Sequence, residues 1–376
     1  MLAPDRHYLR RPSAVKRWAE RLLVAPLRLL HGRPSLPPTG PRRVLLIRHN
    51  QLGDAVVCGP LIDAVRSQWP QAAVEVLASP YNAQVFGWMD GVDRVWVRPA
   101  GRWAWLRLLL QLRGHFDLVL QTLFDENYVR RGLAAWLVAG RGVLVGRARH
   151  TPLEGLMDHP VVLPEGIYPG KLLALLQPLG APPPEQLMAR HPALRLRWPA
   201  AAQAATTQQL AKAGLRPGPF VALNLSAREA NRALGDEQAA AIARQLLAQG
   251  HAVLLMAAPS EGGRLSTVQR QAPGATVLAW PSLAEAMAAV AQAALYIGPD
   301  TGTVHFAAAA QVPCVVLFHH AVRAAVWSPY GVPHIALQAA AGQPVPDIPV
   351  DAVINAATEL LAGSRVQRLD RCQAAA

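Results

Sequence analysis

Cysteine is scarce in this chain of 376 residues: Cys58, Cys314 and Cys372 are odd in number and far apart. They encode neither a disulfide framework nor a zinc ribbon, and a reducing cytoplasm is the expected setting. Long apolar runs are missing too, because Arg, Gln, His or Pro interrupts every stretch before the ~18 residues that a bilayer-spanning helix needs. Integral membrane insertion is not expected. Charged residues make up 16% against 52% hydrophobic, which excludes a disordered polyelectrolyte. The twelve histidines show no zinc spacing. No G-x-G-x-x-G follows the first strand-like run of either half and no G-x-x-x-x-G-K-[ST] occurs, so standard dinucleotide and P-loop sites are disfavoured. What remains is a globular chain long enough for two domains at ~100–200 residues each.

Acid is the other shortage. The 37 basic residues outweigh 24 acidic ones, for a net charge of +13, and the first 43 residues hold ten of the basic side chains against Asp5 and Glu20 alone. A localised cationic leader calls for a localised anionic partner. A nucleic-acid binder is disfavoured, since the body offers no basic stripe with stacking aromatics. The leader lacks the apolar core and cleavage site of a signal peptide, because Arg17, Glu20, Arg21 and Arg28 interrupt it. From Ser13, read as an N-cap, Trp18, Leu22 and Leu23 recur at helical spacing with Lys16, Arg17 and Arg21 between them, until Pro26 interrupts. Two readings stand side by side: residues 6–30 lying on an anionic inner leaflet, or a helix packed on its own domain. SLPPTGP (35–41) reads as a linker.

From residue 43 apolar strand runs alternate with helical stretches. RVLLIR (43–48), AAVEVLA (72–78), VDRVWV (92–97), FDLVLQT (116–122) and GVLVG (142–146) are the strands of a first series, with one helix expected over 55–67 and others over 103–112 and 128–137. A Pro- and Arg-rich stretch, 179–199, reads as a crossover without clear strand periodicity. The second series is PFVALNLS (219–226), HAVLLMAA (251–258), ATVLAW (275–280), ALYIGP (294–299) and PCVVLF (313–318), followed by a closing helix over 350–362. Alternation of this kind predicts an α/β fold of two Rossmann-like, doubly wound parallel sheets with ligands at the carboxyl ends of strands in a shared cleft. The expected division is a leader (1–42), a first domain (43–185), a crossover (186–215), a second domain (216–345) and a C-terminal helix and tail (346–376).

Three segments carry chemistry. In RHNQLGDAVVCGP (48–60) a strand ends, Gly53 permits a turn and Asp54 stands at a helix start, as an N-cap or as a general base. In YIGPDTGTVHFAAAA (296–310) a strand runs into Asp-Thr-Gly-Thr and a helix beginning near Val304. Exposed N–H groups, Gly302 and the hydroxyls of Thr301 and Thr303 suit a diphosphate there. Asp300 suits sugar hydroxyls or a helix cap, and His305 is a packed polar residue or a ligand contact. The third, NLSAREANRALGDEQ (224–238), places Arg228 and Arg232 past a strand end, where cations neutralise a leaving diphosphate or simply face solvent.

Taken together, 43–80 near the front and YIGPDTGTVHFAAAAQVPCVVLF with WSPYG near the back resemble glycosyltransferase family 9, the ADP-heptose:lipopolysaccharide heptosyltransferases, over about residues 43–337. The resemblance implies a GT-B architecture, with an acceptor-side N-terminal domain and a nucleotide-sugar-binding C-terminal one. It implies an inverting reaction without a metal or other cofactor, ADP-heptose as co-substrate, and a lipopolysaccharide core or related glycolipid as acceptor. It implies that Asp54 is the catalytic base. Ser226, Arg232, Asp300, Thr301, Gly302 and His305 would then bind the donor, and Glu261 its ribose. Departures are Leu234-Gly235 where the family has Trp-Pro after the basic residue, Phe318-His319-His320-Ala321 where it has Phe-Gly-Pro-Thr, and Ala257-Ala258 where it has glycines. A sugar-nucleotide epimerase on the same scaffold and a nucleotide-sugar-binding protein without turnover are the alternatives.

Overall fold

The computed structural model describes residues 14–31, 34–124, 128–148 and 151–374. The chain divides into two compact units, residues 1–192 and 193–376. Each unit is built on one six-stranded sheet in which every recorded pairing is parallel.

The first sheet contains β1 (Arg43–Ile47), β2 (Ala73–Ala78), β3 (Arg94–Val97), β4 (Leu118–Gln121), β5 (Val143–Arg147) and β6 (His159–Val161), in the order β3-β2-β1-β4-β5-β6. The second contains β7 (Phe220–Asn224), β8 (Ala252–Met256), β9 (Thr276–Val277), β10 (Leu295–Pro299), β11 (Cys314–Phe318) and β12 (His334–Gln338), in the order β12-β11-β10-β7-β8-β9. Counted within its own unit, each sheet has the same doubly wound order, with the first and fourth strands adjacent at the centre. That is the point where the winding reverses and where open α/β sheets take ligands. The two central pairs, β1 with β4 and β7 with β10, are apolar along nearly their whole length because helices cover both faces.

Alternate side chains divide the first unit into layers. Leu45 and Ile47 of β1, with Leu77, Val119 and Leu144, form the floor on which Leu109 and Leu112 of helix Arg102–Leu112 and Ala135, Val138 and Ala139 of helix Tyr128–Ala139 pack. The second unit repeats the scheme. Val221, Leu223, Val253, Leu255, Leu295, Ile297, Val315 and Leu317 receive helices Asp236–Ala248, Gly262–Gln271 and Val350–Ala374.

Four expectations need correction. The helix expected over 55–67 is two helices, Leu52–Val56 and Gly59–Gln68, because Pro60 at the start of the second has no N–H to continue the first. The helix after β10 starts at Gly302 rather than near Val304. Pro26 does not end the leader helix, which spans Ala14–His31. Val24 and Leu27, on either side of the proline, pack with Leu156, Val129, Leu133 and Trp136, and this docking outweighs the hydrogen bond that proline lacks. Each sheet also has a sixth strand, β6 and β12, that no apolar run announced. Ser13, the expected cap, lies outside the described residues.

Candidate functional site

In the first unit the site is built at the carboxyl end of β1. Gln51 takes the N-cap position of helix Leu52–Val56 and Asp54 the third helical position, so Asp54 is not the N-cap; its Oδ2 accepts the Gln51 N–H at 3.2 Å. Its other oxygen faces Arg48, with Oδ1 3.0 Å from Nη2. Arg48 is fully buried. Its Nε donates to the Asp54 carbonyl (3.1 Å), and its Nη1 donates to the Tyr168 hydroxyl (2.7 Å) and to the Thr122 carbonyl past β4. Burial alone would lower the guanidinium pKa, but Tyr168, Asp54 and Cys58 around it raise it, and it stays charged. Burial likewise raises the Tyr168 phenol and pushes the Cys58 thiol up to about 12. A lone buried cation is untenable, so Arg48 and Asp54 form one unit: the arginine fixes the carboxylate's direction and the carboxylate supplies the counter-charge. Asn82, also buried, locks the same turn by donating to the Arg48 carbonyl at 3.2 Å.

In the second unit the loops after β7, β8, β10 and β11 converge, and these four strands are neighbours. Asp300, nearly buried, follows β10. Its Oδ2 pairs with Arg232 Nη2 at 3.0 Å and with Arg323 Nε, while its carbonyl accepts from Arg232 as well. One carboxylate thus sits between two guanidiniums, Arg232 from the short turn Ala230–Arg232 and Arg323 from helix Ala321–Trp327. Thr301 caps helix Gly302–Ala309, whose first N–H groups have no carbonyl within their own helix. Burial raises the Tyr296 phenol, whose hydroxyl accepts from Asn224 Nδ2 at 3.1 Å. Gly298 makes room for it, since a Cβ there would lie 2.6 Å from the Tyr296 hydroxyl. His305 is buried in the same helix, its ring 5.9 Å from that of Trp327.

Ser226 and Glu261 meet on the other side of β7. The Ser226 hydroxyl donates to Glu261 Oε2 and accepts the Ala258 N–H at 2.7 Å. Glu261 Oε1 pairs with Arg264 at 2.8 Å, and Arg264 continues to Asp236 at 2.7 Å. Partial burial opposes ionisation of Glu261, but the hydrogen bonds from Ser226 and Arg264 prevail and hold it below its ordinary value.

Ser226, Arg232, Glu261, Asp300 and Thr301 thus lie between the strands and α-helices of the second unit, Gly302 and His305 in helix Gly302–Ala309, and Asp54 in the helix after β1. Two residues were missed. Arg323 was overlooked because the segment before it departs from the family pattern, and Arg48 because it reads as the polar end of a strand; a charged residue closing an apolar run was its signal. Leu234, in place of the family's tryptophan, is buried, and its carbonyl accepts from Arg264 at 2.6 Å. At the other altered segment Asn231 Nδ2 lies 3.2 Å from His319 Nε2, and His319 Nδ1 lies 2.8 Å from His320 Nε2.

Residues 175–347 match the family model for glycosyltransferase family 9 (heptosyltransferase). The match takes in all the donor-side residues and leaves Asp54 outside. No curated protein matches the chain by sequence. Among solved structures the chain is similar to the glycosyl transferase family 9 protein from Veillonella parvula DSM 2008 (17% identity, 86% of this chain and 97% of that one, TM-score 0.75). It is similar to E. coli ADP-heptose lps heptosyltransferase II (19%, 86% and 99%, TM-score 0.71) and to E. coli heptosyltransferase WaaC with ADP (18%, 85% and 99%, TM-score 0.66). At these identities the likeness establishes the fold, two doubly wound units of GT-B type, and the family match makes the second unit a glycosyltransferase family 9 domain.

Proposed function

We propose that this chain, a glycosyltransferase carrying a family 9 domain, moves a heptose with inversion and without a metal from ADP-heptose to a lipopolysaccharide core or related glycolipid. The observation that supports the reading best is the carboxylate of Asp300 held between Arg232 and Arg323 at the head of helix Gly302–Ala309. Two guanidiniums and a helix start offer the positive charge that a departing diphosphate requires. In the proposed step the acceptor hydroxyl oxygen attacks the anomeric carbon and its proton passes to Asp54. The bond from that carbon to the phosphate oxygen breaks, and its electron pair leaves with the diphosphate. The reading requires Asp54 and the Thr301 turn to act on one donor–acceptor pair. Arg48 aims the base, Ser226 meets the phosphates, and Glu261 meets the ribose at the cost of one of its present partners. His305 steadies the turn from below.

Thermal stabilisation by ADP, UDP, GDP and dTDP tests the donor class: about 100 Kd of free ADP adds ~2.7 kcal/mol to stability, and an equal response to all four, or none, overturns the assignment. Transfer to a heptose-deficient glycolipid tests the reaction, whereas product formed from the sugar nucleotide alone would make the protein an epimerase. The basic leader, residues 6–30, gives such an enzyme a means of staying at a cytoplasmic membrane face where a glycolipid acceptor resides. Among the described residues no helix is long and apolar enough to cross a membrane.

A further inference from the structure

Two helices of the first unit are apolar on the wrong side. In Arg102–Leu112 the inward residues Trp105, Leu108, Leu109 and Leu112 pack into the core, as expected of an amphipathic helix. Its outward face should then be polar. Instead Trp103 (74% exposed), Leu106 and Leu110 recur there at helical spacing with Arg107 between them. The leader helix Ala14–His31 repeats the arrangement. Val24 packs against the first unit, so close to Gly155 that a Cβ there would lie 2.8 Å from it. Meanwhile Trp18 (63%), Leu22 and Leu29 (86%) point to solvent, flanked by exposed Arg21 and Arg28. Helix Tyr128–Ala139 packs with both: its Ala135 and Val138 join the cluster under the one, and its Leu133 and Trp136 the cluster under the other. Both stripes therefore look out from one helical layer.

The charge around these stripes names the occupant. Between Asp93 and Asp117 there are five arginines and no acid, and residues 128–148, again without an acid, add exposed Arg130 and Arg141. The one acidic residue of the leader helix, Glu20, is buried. A protein–protein contact of ordinary composition mixes both signs at its rim, whereas apolar wedges with unopposed cations match an anionic bilayer surface. The basic face thus extends well beyond the leader to which sequence alone confined it.

We propose that helix Arg102–Leu112 and the leader helix together form the membrane-seating surface of this protein, inserting Trp103, Leu106, Leu110, Trp18, Leu22 and Leu29 at the headgroup boundary of an anionic bilayer. The proposal deepens the glycolipid reading, which gives it a purpose, but its test reads the surface alone. Full-length protein is sedimented with vesicles of phosphatidylcholine alone and with vesicles containing one third phosphatidylglycerol. Strong binding is expected only to the second, and 0.5 M salt should weaken it. Arg102→Gln with Arg107→Gln should weaken partitioning about 30-fold, at ~1 kcal/mol per arginine. The triple change Trp103→Ser, Leu106→Ser and Leu110→Ser should weaken it at least ~10-fold. Because these side chains are exposed, unchanged melting and unchanged ADP-induced stabilisation are expected, and these controls separate a failed surface from a failed fold or a failed donor assignment. Wild-type protein that ignores the anionic vesicles overturns the proposal. So does a triple variant that binds them as well as wild type, or one whose only change is loss of a dimer by light scattering, which would assign the face to a second copy.

Discussion

Replacing Asp54 separates its two jobs. In Asp54→Ala, Arg48 loses its counter-charge while remaining wholly buried. Breaking a buried pair costs ~3–5 kcal/mol. The Asp54 side chain keeps 14% of its surface in contact with solvent, so the lower end applies. The lost acceptor for the Gln51 N–H adds about 1 kcal/mol, for a total of about 4 kcal/mol. At ~2–4 °C per kcal/mol for a domain of this size, the first unit should melt roughly 8–16 °C lower. Asp54→Asn keeps a carbonyl oxygen for the guanidinium, and about 1–2 kcal/mol, or roughly 2–8 °C, is expected. If Asp54 is the base, both variants lack the proton acceptor and both should lose ~100- to 10,000-fold in sugar transfer. The two should differ in calorimetry and agree in turnover, measured at a temperature where both are folded. An Asn variant keeping more than about a tenth of wild-type turnover would remove Asp54 from the role of base. An Ala variant melting within about a degree of wild type would refute the buried-pair reasoning.

Other outcomes follow from the same geometry. Arg323→Gln should weaken ADP binding by about 10- to 100-fold, the range for one charge-assisted hydrogen bond, and lower the melting temperature of the free protein by a few degrees, since nearly buried Asp300 keeps only Arg232; isothermal titration and calorimetry decide. Glu261 is held below its ordinary pKa of 4.5 in the folded chain, so its ionised form adds stability above that value, and this is lost as pH falls through the lower folded one. The stability gap between wild type and Glu261→Gln should accordingly be present at pH 7 and close as pH falls from 4.5 through the lower folded value, as followed by urea titration. The buried Cys58 thiol, pushed up to about 12, and the buried Cys314 should resist iodoacetamide at pH 8 in the native protein and react on unfolding, as read by peptide mass mapping.

Much of this architecture was legible because central parallel strands are apolar on both faces, and runs such as VLLI and CVVLF have few other uses. The sixth strands escaped notice for the complementary reason. β6 is three residues long with a proline in it, β12 alternates exposed and half-covered positions, and both pair on one side only. Thr301 and Gly302 drew attention because small turn residues between a strand and a helix advertise an anion site, whereas Ser226, Arg232 and Glu261 were named by the family resemblance. Arg323 could not be named, since it reaches Asp300 from 23 residues further on and only folding brings the two together. The outward face of Arg102–Leu112 was hidden in plain composition: RWAWLRLLLQL shows its apolar content but not which side would be left uncovered.

The position of Asp300 bears on which ligands this cluster would attract. With one anion already seated between Arg232 and Arg323, one of the two positive charges that a passing phosphate would meet is already offset. A bare anion must evict or sit beside a resident that repels it, with little to offer in exchange. A molecule bearing both a diphosphate and hydroxyl donors fares otherwise, because it satisfies the arginines with one part and the aspartate with another. On the proposed reading the cradle would discriminate by composition, favouring ligands that combine the two groups over inorganic phosphate.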